Sequence, residues 1–147
     1  MVGLCIAAGN FDTTGAIKRM AGRLTRTNQN SGKETPTPAL AIANTWHASM
    51  AHMRAPVTFD NGLVCAISGE IFDDHGLFRE PEQLIVDLYK TSHLQKIAWL
   101  NGSFSIGIID PNQNRVILIT DRLGSKSLFV WHNHKALIAS SRLDAAI

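Results

Sequence analysis

Apolar residues along this chain fall into short runs typical of strands and into stretches with helical spacing. The run over residues 2–8 ends at Gly9-Asn10 and predicts a buried strand closed by a turn. After Thr13-Thr14, a candidate helix cap, apolar side chains recur at helical spacing as far as Leu24, which predicts a helix. The polar stretch from Asn28 to Pro38 has linker composition and is interpreted as a surface loop.

The middle of the chain combines further strand and helix patterns. Strands are predicted over residues 40–43, 49–58 and 63–67. The last of these follows Asp60-Asn61-Gly62, a sequence that favours a hairpin turn. Helical spacing from Glu80-Pro81 to Tyr89 predicts a helix, and a second short helix is predicted over residues 93–100.

The last third of the chain carries the clearest strand pattern. Strands are predicted over residues 103–109, 115–120, 128–131 and 136–139. Turn-forming residues join these strands into two hairpins. One early helix, two helices in the middle and two late hairpins together predict an α+β domain with antiparallel sheet.

Composition and charge narrow the class of protein. The 147 residues fit one domain, and a content of 45% hydrophobic and 18% charged residues is typical of a globular chain. Lys and Arg number 14 against 12 acidic residues, so the net charge of +2 favours neither nucleic acid nor an anionic membrane as a partner. No apolar run approaches the roughly 20 residues that span a bilayer, and the N-terminus lacks the basic region of a signal peptide. We therefore expect a cytoplasmic domain in which Cys5 and Cys65 are buried, reduced thiols.

Three local motifs suggest chemistry but have simpler interpretations. His132 and His134 form a His-x-His pair without a further ligand cluster, so no metal site is predicted. Asp73-Asp74-His75 places adjacent side chains on opposite sides of an extended chain and is interpreted as a solvated loop. Asp121-Arg122 enters a glycine turn, and a structural salt bridge or a backbone cap is favoured there over catalysis.

Five segments, taken together, resemble the N-terminal glutaminase domain of asparagine synthetases, a class II glutamine amidotransferase of the Ntn-hydrolase fold. They are Ala51-His52-Met53-Arg54, Ser68-Gly69-Glu70-Ile71-Phe72-Asp73, Leu100-Asn101-Gly102-Ser103-Phe104-Ser105, Asp121-Arg122-Leu123-Gly124-Ser125-Lys126-Ser127-Leu128 and Ala139-Ser140-Ser141-Arg142-Leu143. The family counterparts are Ala-His-x-Arg, Asn-Gly-Glu-Ile-Tyr-Asn, Leu-Asn-Gly-Met-Phe-Ala, Asp-Arg-Leu-Gly-Ile-Lys-Pro-Leu and Ala-Ser-Glu-Leu-Lys. The segments occur in the family's order, so the resemblance covers nearly the whole chain.

The resemblance implies a four-layer αββα sandwich of two antiparallel sheets over residues 1–147. In the family, a cysteine directly after the initiator Met attacks the side-chain amide of glutamine, and its own α-amine assists. An Asn-Gly pair holds the oxyanion, and the ammonia passes to a synthetase domain. That synthetase domain is expected downstream or as a separate chain, and it would bind ATP and Mg²⁺. The domain encoded here is expected to hold no cofactor.

The chain departs from the family pattern at the positions that carry the chemistry. Val2 occupies the place of the nucleophilic cysteine, and valine has no lone pair with which to attack a carbonyl. Ser68 replaces the oxyanion asparagine, and the loss of one such donor typically costs 10²–10³ in rate. Pro81 stands where the family has an aspartate that holds the substrate amine.

Arg54, Gly69 and Glu70 keep the family pattern. The arginine at the position of Arg54 grips the substrate carboxylate in the family. Because three positions around it have lost their chemistry, we favour a structural ion pair between Arg54 and Glu70. The glutamine site is therefore expected to be vestigial, and the sequence leaves open whether Arg54 still binds a ligand.

Three hypotheses follow. In the first, the domain is a scaffold for an ATP-dependent amide-forming domain that acts on a peptide or amino acid, as in lasso-peptide cyclases and β-lactam synthetases. In the second, removal of residues 1–4 exposes Cys5 as a new N-terminal nucleophile, although Cys5 lies on the opposite strand face from residue 2. In the third, the domain is a free-standing interaction module. The sequence also leaves a homodimer open.

Overall fold

The computed structural model describes residues 3–50 and 55–146. In chain order the elements are β1 (Gly3–Gly9), α1 (Thr13–Leu24), β2 (Gln29–Thr37), β3 (Leu40–His47), β4 (Val57–Thr58), β5 (Val64–Asp73), β6 (Gly76–Leu77), α2 (Pro81–Lys90), a 3₁₀ helix (Leu94–Trp99), β7 (Asn101–Asp110), β8 (Arg115–Thr120), β9 (Phe129–His132), β10 (Ala136–Ser140) and α3 (Leu143–Ala146).

The strands form two antiparallel sheets. The first sheet has the order β2-β3-β1-β10-β9, and the second has the order β4-β5-β7-β8, with β6 paired to β5. In the first sheet β1 lies at the centre, where Cys5 pairs with Ala43 of β3 and with Ser140 of β10. In the second sheet β5 and β7 form the longest ladder, from Val64↔Ile109 to Phe72↔Asn101.

Three hydrophobic clusters define four layers. One cluster lies between α1 and the outer face of the first sheet, and it includes Cys5, Ala7 and Ile17. A second lies beneath α2 and the 3₁₀ helix on the outer face of the second sheet. The third fills the space between the sheets, with Leu4 and Ile6 from one sheet and Val64 from the other. The predicted αββα sandwich is therefore confirmed.

Helix α1 illustrates how the sequence encodes a layer. The Asp12 carboxylate accepts a hydrogen bond from the Gly15 N–H (2.8 Å) and caps the helix. The predicted cap at Thr13-Thr14 is thus displaced to Asp12. The apolar positions at helical spacing are all buried against the first sheet, among them Ile17, Met20 and Leu24.

The prediction of a surface loop from Asn28 to Pro38 is wrong, because residues 29–37 form the edge strand β2. An edge strand tolerates proline because its outer N–H groups bond no neighbouring strand. The register shifts between Glu34 and Thr37, and Pro36 lies in that irregular step. One side of the strand faces solvent, so its composition resembles that of a loop.

The strand predicted over residues 49–58 shortens to Val57–Thr58 within the described residues, and part of it lies outside them. The predicted turn at Asp60-Asn61-Gly62 is confirmed, since it joins β4 to β5 and Gly62 has a φ of +82°. Strand β5 continues far beyond the predicted end at Ile67, as far as Asp73. This extension places the Ser68-Gly69-Glu70 segment within the sheet.

The helix α2 and the two late hairpins agree with prediction, and the second short helix is a 3₁₀ helix. The short helix α3 was not predicted. None of the helices over the described residues is long and apolar enough to cross a membrane.

Candidate functional site

The candidate site lies at the end of the sandwich where β1 begins. Side chains of β1 alternate, so that Leu4 and Ile6 face the second sheet while Cys5 and Ala7 face α1. Further along β1 the space between the sheets is apolar, whereas at this end it becomes polar. The buried polar residues there are Asn44, Ser68 and Ser105.

Two predicted site residues, Val2 and Arg54, lie outside the described residues. The assignment of Val2 to the nucleophile position and the ion pair of Arg54 with Glu70 therefore remain predictions. The described part of the chain supplies Ser68, Gly69, Glu70, Pro81 and Cys5.

Ser68 is buried between the two sheets. Its neighbour Ile67 packs under α2, so the alternation of the strand turns Ser68 toward the first sheet. Ser68 is 1% exposed, and its Oγ has no hydrogen-bond partner among the residues that the structure describes. Ser105, its cross-strand partner on β7, is equally buried with an Oγ that also lacks a partner. Ser68 therefore presents no donor to the exterior of the sandwich.

Asn44 of β3 lies at the same polar end of the intersheet space. Its Nδ2 donates to the carbonyl oxygen of Ile67 at 3.3 Å and so connects the two sheets beside Ser68. Sequence reasoning missed Asn44 and Ser105. The available signal was a polar residue within an otherwise apolar strand run, as Ser105 is between Phe104 and Ile106 in the sequence.

Gly69 fixes the backbone of the site. Its φ of +115° belongs to a region that L-residues with a side chain rarely adopt. A Cβ at this position would also collide with the carbonyl oxygen of Ser103 on the neighbouring strand. The sheet at this point therefore requires glycine for purely structural reasons, independent of any catalysis.

The remaining predicted site residues differ in their surroundings. Glu70 follows Gly69 on β5 and is half-buried. Pro81 is the first residue of α2, a position that proline favours because a first-turn N–H has no partner within the helix. The structure therefore gives Pro81 a helix-starting role, and its ring provides no charge or donor for a substrate amine.

Cys5 and Cys65 are the only cysteines in the sequence, and both are buried free thiols, as predicted. Burial raises the pKa of Cys5 to about 12, although a hydrogen bond involving the Ala43 backbone lowers it in part. Burial also raises the pKa of Cys65 well above its ordinary value, and the negative charge of nearby Glu82 adds to this. Neither thiol is disposed to form a nucleophilic thiolate in the folded domain.

The Asp121 turn, residues 121–125, closes the same end of the second sheet. The Asp121 carboxylate accepts hydrogen bonds from the N–H groups of Phe104 (3.1 Å), Leu123 (3.0 Å) and Ser125 (3.2 Å). It also accepts one from the Ser125 hydroxyl (2.6 Å). Burial by itself raises the pKa of Asp121, but these hydrogen bonds outweigh it and lower the pKa to about 2.

These contacts agree with the interpretation of Asp121 as a backbone cap. Arg122 does not pair with it but instead donates to the Asn101 Oδ1 at 3.2 Å. The hydrogen bonds from the Phe104 N–H to Asp121 and from Arg122 to Asn101 tie the turn to the start of β7. A carboxylate held so firmly in its charged form is a poor base, so the turn is suited to shaping the site.

The Asp73-Asp74-His75 motif is exposed and agrees with its interpretation as a solvated loop. Asp73 Oδ1 accepts the His75 N–H at 2.7 Å and closes the turn between β5 and β6. His132 is exposed at the end of β9. Over the described residues no group of three or more His, Cys, Asp or Glu side chains is placed to hold a metal ion.

The fold and the polar end of the intersheet space define a class of protein, the Ntn-hydrolase-like α+β sandwich. Residues 43–147, more than half of the chain, match the family described as glutamine amidotransferase domain. The chain therefore belongs to the glutamine amidotransferase domain family.

A curated relative and a solved structure agree with this assignment. The chain is 31% identical over 96 residues to asparagine synthetase [glutamine-hydrolyzing] 2 of Bacillus subtilis, a match that covers 58% of this chain and 13% of that protein. It is similar in structure to the glutamine phosphoribosylpyrophosphate amidotransferase of B. subtilis, with a TM-score of 0.78 and 13% identity. That match covers 97% of this chain and 42% of the other, and at this identity it shows the fold alone.

Proposed function

We propose that this chain is a degenerate glutaminase domain, a scaffold for an asparagine-synthetase-like domain that forms amides at the expense of ATP. It does not hydrolyse glutamine itself. The family assignment and the similarity to an asparagine synthetase support an asparagine-synthetase-like parent enzyme. The parent enzyme is a cytoplasmic amide ligase for a peptide or amino acid, with ATP and Mg²⁺ bound by the synthetase domain.

One observation carries the loss of glutaminase activity: no thiol of this chain is available as a nucleophile. Residue 2 is valine, and both cysteines are buried with raised pKa values. Formation of a thioester from glutamine needs an exposed thiolate next to the bound amide. Without one, the first covalent step of the family's reaction has no starting group.

The surroundings of Ser68 also support the loss of glutaminase activity. At the position of the family's oxyanion asparagine, this chain has a short hydroxyl enclosed between the sheets. Its reach is shorter than that of an amide, and its oxygen is shielded from the exterior. A developing oxyanion at the mouth of the sandwich would receive no side-chain donor from this residue.

The direct experiment measures ammonia release from L-glutamine by the purified full-length gene product, together with ATP-dependent amide formation in the same preparation. We expect no ammonia above the buffer rate, and amide formation that does not require glutamine. Glutamine hydrolysis at rates typical of the family would refute the proposal.

The two other hypotheses make different predictions in the same preparation. A processed hydrolase would begin at Cys5 and release ammonia, which requires removal of the fully buried Leu4 from the central strand β1. A free-standing interaction module would form no amide and would have a stop codon after Ile147. Both outcomes are identified by the mass of the N-terminus and by the downstream reading frame.

A further inference from the structure

The strand β9 leaves an unprotected edge at one end of the first sheet. Its outer edge meets no other strand within the part of the chain that the structure describes. Natural edge strands are commonly protected by charged residues, by proline or by a bulge. In contrast, β9 pairs with β10 without a register shift, and residues 127–133 contain no Asp, Glu, Lys, Arg or proline. This edge is therefore suited to pairing with another strand.

Large apolar side chains accompany the open edge. Phe129, Val130 and Trp131 of β9 are 41%, 47% and 53% exposed. Leu143 of α3 is also exposed, and the described residues leave only nine large hydrophobic side chains so exposed. An apolar groove of about 550 Å³ lies here, lined by Phe129, Val130, Trp131, Ile138, Leu143 and Ala146. Four of the nine exposed side chains therefore form one patch beside an open strand edge.

The register of the β9–β10 hairpin shows which backbone groups lie on the open edge. The Asn133 N–H donates to the Ala136 carbonyl at 2.9 Å. Bonded pairs alternate in an antiparallel ladder, so the pair Trp131↔Ile138 directs the Trp131 N–H toward β10. The N–H and C=O groups of Val130 and His132 therefore face away from β10, toward the open edge.

The aromatic side chains of β9 share one face of the sheet. Trp131 lies opposite Ile138, which packs against the hydrophobic cluster beneath α1. Because side chains alternate along a strand, Phe129 lies on this same face and Val130 on the other. A strand added to the edge would therefore meet aromatic rings on one face and an aliphatic side chain on the other.

A second copy of β9 matches this edge when the two strands run antiparallel about a two-fold axis. Residues of the open edge then face each other, and Val130 opposite Val130 of the second copy forms a hydrogen-bonded pair. This register places Trp131 opposite Phe129 of the second copy, on both sides of the axis. Aromatic cross-strand pairs stabilise a sheet, and no charge lies opposite a like charge over residues 127–133.

A register centred on Trp131 is less favourable. It would place Val130 opposite His132 of the second copy and Phe129 opposite Asn133, so that apolar side chains would face polar ones. The register centred on Val130 pairs apolar side chains with apolar ones at all three central positions. The side-chain pattern of β9 therefore selects this register.

We propose that two copies of this chain associate through β9, with Val130 on the two-fold axis, and so join their five-stranded first sheets into one continuous sheet. The partner is a second copy, whose strand is β9 itself. This inference goes beyond the proposed function and does not depend on whether the domain hydrolyses glutamine.

The size of the patch indicates the strength of the association. From the usual side-chain areas, the exposed parts of Phe129, Val130, Trp131 and Leu143 amount to about 300–400 Å². A standard interface buries about 800 Å² on each partner, of which about 450 Å² is apolar. The patch supplies most of that apolar area, so the interface lies at the small end of the specific range. We therefore expect a reversible dimer with a Kd of about 1–100 µM.

Sedimentation velocity of the purified full-length gene product between about 1 µM and 300 µM measures this association. We expect the sedimentation coefficient to rise with concentration from that of a monomer to that of a dimer. A monomer at every concentration would overturn the proposal.

A matched pair of variants assigns the association to β9. Trp131→Glu places a charge opposite an aromatic ring of the second copy, and we expect it to raise the Kd at least about 30-fold. Trp99→Glu changes a tryptophan that is 78% exposed on the 3₁₀ helix, away from the first sheet, and should leave the Kd unchanged. Equal effects of the two variants on the dimer would contradict the proposal.

Cysteine variants test the register. Cα atoms of a hydrogen-bonded antiparallel pair lie about 5.5 Å apart, a separation that a disulfide spans. Val130→Cys should therefore give a disulfide-linked dimer on mild oxidation, in excess of any formed by the unmodified chain, whose Cys5 and Cys65 are buried.

Lys135→Cys is the matched control for this cross-link. Lys135 is exposed in the hairpin turn beyond β9. In the proposed dimer it would lie more than about 20 Å from its counterpart, so Lys135→Cys should give no such product. Equal cross-linking of the two variants, or none by Val130→Cys at a concentration at which it dimerises, would overturn the proposed pairing.

Discussion

The Asp121 turn and the Ser68 segment lie at the same end of the second sheet but differ in their hydrogen bonding. Asp121 is buried and accepts four hydrogen bonds, three of them from backbone N–H groups. Ser68 is just as buried, yet its hydroxyl has no hydrogen-bond partner within the described part of the chain. Both positions belong to segments that resemble the glutaminase family. The difference separates residues that support the backbone from residues that would act on substrate.

This comparison indicates how such a domain can lose its chemistry and retain its fold. Gly69 and Asp121 are required by the backbone itself, because one relieves a collision and the other satisfies buried donors. A nucleophile or an oxyanion donor satisfies no need of the folded chain. Under the proposed function, replacement of these groups by Val2 and Ser68 would therefore leave the sandwich stable.

The largest effect is expected for Gly69→Ala. Gly76 has nearly the same backbone conformation, with φ of +117° against +115°, but a Cβ there would meet open space. We expect Gly76→Ala to lower the free energy of unfolding by about 1–2 kcal/mol through strain alone. Gly69→Ala should lower it by about 3 kcal/mol or more, since the collision with the Ser103 carbonyl is added. Urea unfolding measures both, and equal losses would show that close packing at Gly69 is unimportant.

A slightly smaller loss is expected for Asp121→Ala. The substitution leaves the Phe104 N–H buried without its acceptor and releases the turn, so we expect a loss of about 3 kcal/mol. Asp87→Ala removes an exposed carboxylate on α2 and should change stability by less than about 0.5 kcal/mol. Ser68→Ala should lower the free energy of unfolding by less than Asp121→Ala does, because the Ser68 hydroxyl bonds to none of the described residues. A larger loss of stability for Ser68→Ala than for Asp121→Ala would contradict the difference in hydrogen bonding between the two positions.

The pH dependence of stability tests whether the ionised Asp121 carboxylate stabilises the folded chain. Its pKa is about 2 in the folded chain and 3.8 ordinarily. A lowered folded pKa contributes stability that is fully present above pH 3.8 and is lost as the pH falls through about 2. Asp121→Asn should therefore show a smaller loss of stability between pH 4 and pH 2 than the unmodified chain, as measured by urea titrations at each pH. Parallel curves would exclude Asp121 as a source of acid sensitivity.

The smallest effect is expected for Val2→Cys. Under the proposed function this variant restores the family's nucleophile, whereas Ser68 and Pro81 would still lack the oxyanion donor and the amine-binding charge. We expect ammonia release from glutamine to stay at the level of the Val2→Ala control. Release at rates typical of the family would show that Ser68 and Pro81 do not limit the reaction.

Much of the fold was predictable because most elements carry strong periodicity. Helix α1 and the hairpins after Gly102 follow directly from the spacing of apolar residues. Strand β2 was missed because an edge strand keeps one side polar and accommodates Pro36 at an irregular step. The extension of β5 was missed because Ser68-Gly69 ends the apolar run although the ladder continues.

The candidate site was predictable only through its resemblance to a family. Periodicity does not indicate that Ser68 pairs with Ser105, or that Asn44 reaches across to the Ile67 carbonyl, because these contacts join strands distant in sequence. The burial of Cys5 was predictable from its apolar run. Whether its side chain lies under α1 or between the sheets depends on which face of the central strand β1 its position occupies.

The most direct test of the proposed loss of glutaminase chemistry is the intact mass of the purified full-length gene product before and after exposure to an electrophilic glutamine analogue. We expect an N-terminus at Met1 or Val2 and no adduct, because neither buried thiol reacts and residue 2 carries no nucleophile. An N-terminus at Cys5 that carries one adduct would contradict this and identify a processed amidohydrolase.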